Sequence, residues 1–173
     1  EASIVALYEA IDKKRVDDIE FGFANLYPLS RTKSPYIENI KSGFIITNRY
    51  GTDIGLMIDT FLKPNTEYTL SFNQRLLSGT YSHTHSGSIV IQGGADPQHI
   101  YGGRDTEEVK VTFTTGSDLS GRELKPHGSL TGVVEFTNVQ IVEGSKAPKG
   151  WSPSAEDVQA EIDTAKQEAL TAA

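Results

Sequence analysis

The chain has 173 residues, enough for one ordinary domain, and its 37% hydrophobic content with seven Phe and seven Tyr supports a packed core rather than wholesale disorder. It contains no cysteine, which excludes disulfides and thiolate chemistry, and no run approaches the roughly 18 apolar residues of a membrane-spanning helix. The net charge of −7 sits at the ends: residues 1–20 hold three basic and six acidic side chains, residues 152–173 one and five, leaving twelve of each sign between. A neutral middle has no electrostatic footprint for nucleic acid or an anionic membrane, so neither is expected as a partner.

Taken in chain order, the first zone is helical. Ile4, Leu7, Tyr8 and Ile11 recur at helical spacing, with charged residues between them up to about Glu20. This start lacks the basic residues of a signal peptide, and a helical pattern already under way is expected of a piece of a longer chain.

The middle reads as an all-β protein. Short runs of period two follow one another between Gly, Pro, Asn and Asp, and predict strands over 43–49, 54–62, 67–76, 86–93, 107–115 and 131–144. In the third run Tyr68, Leu70 and Phe72 face a core, while Thr69, Ser71, Asn73 and Arg75 face out. Ile89 and Ile91, then Val109, Val111 and Phe113, then Val134 and Phe136 repeat the pattern. Strands apolar on one side only, with no helices alternating between them, predict two antiparallel sheets sharing one core. The expected fold is a jelly-roll β-sandwich over 21–151, flanked by helical, coiled-coil-like segments at 1–20 and 152–173.

The last zone places Val158, Ile162, Ala165, Ala169 and Ala172 on a heptad seam of small residues, expected to continue into an oligomeric coiled coil. Its start, "KAPKGWSPSAEDV" (146–158), offers two caps. Pro153 suits a first helical position behind Ser152, and Ser154 with Asp157 three residues on is the competing assignment. Trp151 at this joint is expected to pack on the sandwich edge and set the angle of the helix rather than to stack on a ligand.

No catalytic constellation stands out. There is no G-x-S-x-G, H-E-x-x-H, phosphate loop or cysteine nucleophile. A glycosidase needs two carboxylates across a cleft. Asp53 with Asp59 is unproven in space, and Glu107 and Glu108 point to opposite faces of a strand. The chain is read as no enzyme. In "YSHTHSG" (81–87), His83 and His85 would share one side of an extended segment, and His99 could join them on a zinc ion. The competing reading is a polar loop of hydrogen-bonding imidazoles, and no metal is assigned. "GGADPQHIYGGRD" (93–105) gathers Gln98, His99, Tyr101 and Arg104 between glycine pairs. A sugar needs a ring for its C–H face and polar groups for its hydroxyls. Tyr81, His83, His85, Tyr101 and Arg104, with outward Asn73, Arg75 and Gln92, supply those types and form the expected carbohydrate-binding set.

"NLYP" (25–28), "LKPNTEYTLSFNQRL" (62–76), "EVKVTFTT" (108–115) and "VEFTNVQIVEGSKAPKGWSPSAEDV" (134–158) together resemble the carbohydrate-binding-module-like jelly rolls of phage tail and baseplate proteins. The match runs from about Asn25 to Val158, and its closing motif is the most specific part. The resemblance implies a non-catalytic virion module, extracellular on the phage tail, that touches the cell-wall polysaccharide of a Gram-positive host. It implies a homotrimer in the full-length protein, with other tail and baseplate proteins as partners. Ligand contacts in related modules come from the solvent-facing concave sheet and neighbouring loops, but no contact residue carries over by motif. Related modules often hold a structural calcium ion, for which no ligand set is clear here; no other cofactor is expected. "FNQRL" also lacks the aromatic that often follows the central Ser-Phe. A spacer domain without ligand is the alternative function, and a glycoside hydrolase ranks last.

Overall fold

The described residues form nine strands: β1 (Ile37–Ile40), β2 (Gly43–Thr47), β3 (Leu56–Met57), β4 (Glu67–Gly79), β5 (Ser88–Gly93), β6 (Ile100–Gly102), β7 (Glu108–Thr114), β8 (Arg122–His127) and β9 (Gly132–Glu143). They form a five-stranded sheet, β1-β2-β9-β4-β7, and a four-stranded sheet, β3-β8-β5-β6, antiparallel throughout. The computed structural model describes Ala6, Leu7, Glu9 and residues 24–96, 98–103, 108–148 and 150–172. Ala6, Leu7 and Glu9 are helical; the rest of the expected helix over 1–20 lies outside the described residues.

The sheets meet through the side chains that the alternation assigns inward. Phe44, Ile46, Tyr68, Leu70, Phe72, Val134, Phe136 and Ile141 come from one sheet, and Leu56, Ile89, Ile91 and Leu124 from the other. At about 25 cal/mol per Å² of apolar area removed from water, this layer is the main stabilising term of the domain.

β9 keeps this pattern by an interruption. Asn138 adopts φ +51°, and the register with β4 shifts between Ser71/Gln140 and Asn73/Thr137. One extra residue changes the parity, so Val134 and Phe136 point inward before the bulge, and Val139 and Ile141 after it. Gln140 is thereby turned to the outer face. A second shift, between Leu76 and Ser78 of β4, restores the register.

Several expectations need correction. The run 54–62 is not one strand. β3 pairs with β8 only at Leu56 and Met57, and the chain then closes a 3-10 turn over Ile58–Thr60. Leu62 N–H donates to Ile58 C=O at 2.7 Å, and this curl brings both side chains into the core. Thr69 faces outward as expected but has no exposure. Its hydroxyl donates to the Gly144 carbonyl at 2.7 Å, where the chain crosses back over the sheet. Strands β1, β6 and β8 were not expected: β6 is three residues long, and β8 ("RELKPH") buries the polar residues Arg122 and His127.

The helix α1 (Ala155–Ala172) starts at Ser154, whose Oγ accepts from Asp157 N–H at 3.0 Å; Ser154 is therefore the cap, not Ser152. In the usual box the Asp157 carboxylate would turn back on the cap. Here it accepts from Leu29 and Ser30 N–H at 3.1 and 2.8 Å, while Arg31 pairs with Glu156 at 2.7 Å. The helix is thus docked on the 3-10 turn Leu29–Arg31. Val158 and Ile162, the first two residues of the expected seam, are buried within the chain itself.

Trp151 lies where sequence places it. Its ring packs against the core and its indole N–H donates to Val139 C=O at 2.9 Å. The same carbonyl accepts from the buried carboxamide of Asn25 at 3.3 Å. That carboxamide also donates to Ser152 C=O at 2.9 Å, and its oxygen accepts from Tyr27 and Ile141 N–H at 2.9 and 3.0 Å. Tyr27 beside it is fully buried, and burial holds its phenol well above the usual range. Replacing Asn25 by Ala orphans two backbone N–H groups and the Ser152 carbonyl, while Val139 C=O keeps its indole donor. We expect Asn25→Ala to cost about 2–4 kcal/mol, read as a lower urea midpoint at unchanged slope.

Candidate functional site

The loop from Thr80 to Gly87 is held from inside by a serine. Ser86 has no exposure, and its Oγ accepts from Ser82 and His83 N–H at 3.3 and 2.9 Å. Ser86 N–H returns to His83 C=O, and Gly87 N–H donates to His127 C=O at 2.9 Å. His83 and His85 therefore sit in a turn rather than in an extended segment, and they go to different partners. The His83 ring stacks on Tyr50 with centroids 4.0 Å apart, and Tyr50 lies 4.7 Å from His127. His85 stacks on Tyr101 at 4.1 Å with the planes 11° apart, and His99 Nδ1 meets the Tyr101 hydroxyl at 3.1 Å.

All four histidines and two tyrosines thus decorate the outer side of the four-stranded sheet. Tyr101 on β6, Val90 on β5 and Lys125 on β8 form one cross-strand row, flanked by the rows Gln92–Glu123 and Ser88–His127. Tyr101 keeps 39% of its surface exposed. His127 is nearly buried, and its Nδ1 has no hydrogen-bond partner among the described residues. Desolvation, helped by Lys125, His85 and His83, pushes its pKa down to about 4.

A buried cation anchors the chain on the way to His99. Arg122, 2% exposed, donates to the carbonyls of Gly93, Asp96 and Gln98 at 3.3, 3.0 and 2.6 Å, with the Asp96 carboxylate at 3.8 Å. Three carbonyls and one carboxylate compensate a charge that burial alone would heavily disfavour.

Of the expected sugar-binding set, His83, His85, Tyr101 and Gln92 share this side. Tyr81 does not: its hydroxyl donates to Gln74 Oε1 at 2.8 Å and its ring packs against the core. Asn73 and Arg75 lie on the outer side of the other sheet, Arg75 paired with Glu135 at 3.3 Å. Arg104 lies outside the described residues. Tyr50 and His127 were missed, because neither stands beside a motif and the strand that carries His127 was not expected. Among the described residues no group of three His, Cys, Asp or Glu is placed to hold a metal ion. Chemically the surface offers a held aromatic ring ringed by imidazole and amide groups.

The unfolded state takes up the His127 proton near its ordinary value of 6.5, before the folded state does. The stability that His127 contributes is therefore complete above that value and is lost as pH falls towards 4, up to about 2–3 kcal/mol. Urea midpoints at about pH 7 and about pH 4.5 should converge in His127→Phe, which keeps a ring against Tyr50 and cannot titrate. No family model and no curated protein matches this sequence.

Proposed function

We propose that this protein is a non-catalytic glycan-binding module with a jelly-roll fold, carried on a phage tail or baseplate protein and contributing to adhesion to host cell-wall polysaccharide. The observation that carries the reading is the exposed Tyr101 ring with one face already held by His85. A ring fixed before binding loses little side-chain entropy, and His99 and Gln92 stand near it to meet hydroxyls. The resemblance over Asn25–Val158 supports the same assignment, as does the absence of net charge in the middle of the chain. A homotrimer in the full-length virion protein would multiply a weak single site through avidity.

A spacer domain without ligand is the second reading, favoured by one observation: Tyr81 turns inward, and several of the surface rings satisfy one another. Display of the module in multivalent form over a panel of bacterial cell-wall saccharides separates the two. Retention on one saccharide class is expected, with Tyr101→Ala weakening it by about 5–30-fold, the equivalent of roughly 1–2 kcal/mol. No retention on any saccharide in that format would leave the spacer.

A further inference from the structure

The outer side of the five-stranded sheet carries a second feature, remote from Tyr101. Three rows cross β7, β4 and β9 there: Thr112–Thr69–Val142, Lys110–Ser71–Gln140 and Glu108–Asn73–Thr137. After Glu143 the chain turns at Gly144 (φ +102°) and runs back over these rows, so that Ala147 and Pro148 wall a groove of about 310 Å³. That volume is at the low end of small-molecule sites, about 300–1,000 Å³, and suits a single sugar-sized ligand.

Two atoms at this groove are unmet. Ser71 Oγ and Gln140 Oε1, on paired residues of adjacent strands, are shielded from solvent and have no hydrogen-bond partner among the described residues. Gln140 itself is 5% exposed. Each such group costs about 1–3 kcal/mol unless something meets it. The bulge at Asn138 is what turns Gln140 to this side, so the amide reaches the groove by the construction of the strand.

We infer that this groove is a binding site for the acetamido group of an N-acetylated sugar. A secondary amide has an N–H donor beside a C=O acceptor, which meets an amide oxygen and a hydroxyl together, whichever way round the Gln140 carboxamide lies. Its methyl group matches the Ala147–Pro148 wall. Lys110 and Glu108 bring one charge of each sign to the rim, which favours a neutral ligand over an ionic one. The inference does not rest on the Tyr101 side: either site can bind while the other does not.

The test is amide-resolved NMR titration of the full chain with N-acetylglucosamine and, separately, with glucose. Saturable shifts at Ser71, Gln140 and Ala147 are expected with N-acetylglucosamine and not with glucose. Gln140→Met keeps the side-chain length and removes the amide; it should weaken binding at least about tenfold while leaving the urea midpoint equal or higher, because an unmet buried polar atom is removed. Shifts confined to Tyr101 and His85 would sink the groove and leave the proposed function standing. Equal response to glucose, unchanged affinity in Gln140→Met, or no saturable shift in the groove would each overturn the inference. So would a lowered midpoint in Gln140→Met without N-acetylglucosamine binding, the sign that water already fills those bonds.

Discussion

The carboxamide of Asn25 joins the start of the sandwich to its end. Its donor side holds the carbonyls of Val139 and Ser152, and its acceptor side holds the N–H groups of Tyr27 and Ile141. Both ends of the domain are thereby pinned to the segment of β9 that follows the bulge. Trp151 adds its indole N–H to the same Val139 carbonyl, and Asp157 caps the 3-10 turn that begins two residues after Tyr27. With these bonds in place, β9 can leave its pairing with β2, keep its backbone satisfied by the incoming chain, and hand over to α1 at a fixed angle.

This joint sets what each outer side of the sandwich can be. On the five-stranded sheet, the reversal after Glu143 carries Ala147 and Pro148 over the rows of Ser71 and Gln140 before the chain reaches Trp151. That side is polar, partly roofed and short of hydrogen-bond partners. On the four-stranded sheet the rings are held by one another and by the Ser86-centred turn. One side presents hydrogen-bonding capacity in need of a partner, and the other a pre-set aromatic surface.

Much of the architecture was legible because its strands alternate cleanly. β4, β5, β7 and the first half of β9 show Tyr68/Leu70/Phe72, Ile89/Ile91, Val109/Phe113 and Val134/Phe136 in the positions that period two assigns. The second half of β9 breaks that rule at Asn138, and no local signal distinguishes an extra residue from a change of face. β8 was illegible for a different reason. Its polar residues are buried by contacts made elsewhere in the chain, Arg122 with carbonyls 24 to 29 residues away and His127 against Tyr50. The site was legible in part: His85 and Tyr101 were both singled out, but their stacking depends on β6, and Tyr81 turned inward because Gln74 offers an acceptor inside the sandwich.

Arg122 grips its loop mainly through main-chain oxygens. Recognition of that kind is blind to side chains, Asp96 apart. Side chains such as Gln98 and His99 can therefore be exchanged while the carbonyls of Asp96 and Gln98 stay held. A cation that holds main-chain oxygens from beneath separates the support of this edge of the sandwich from the side chains it presents.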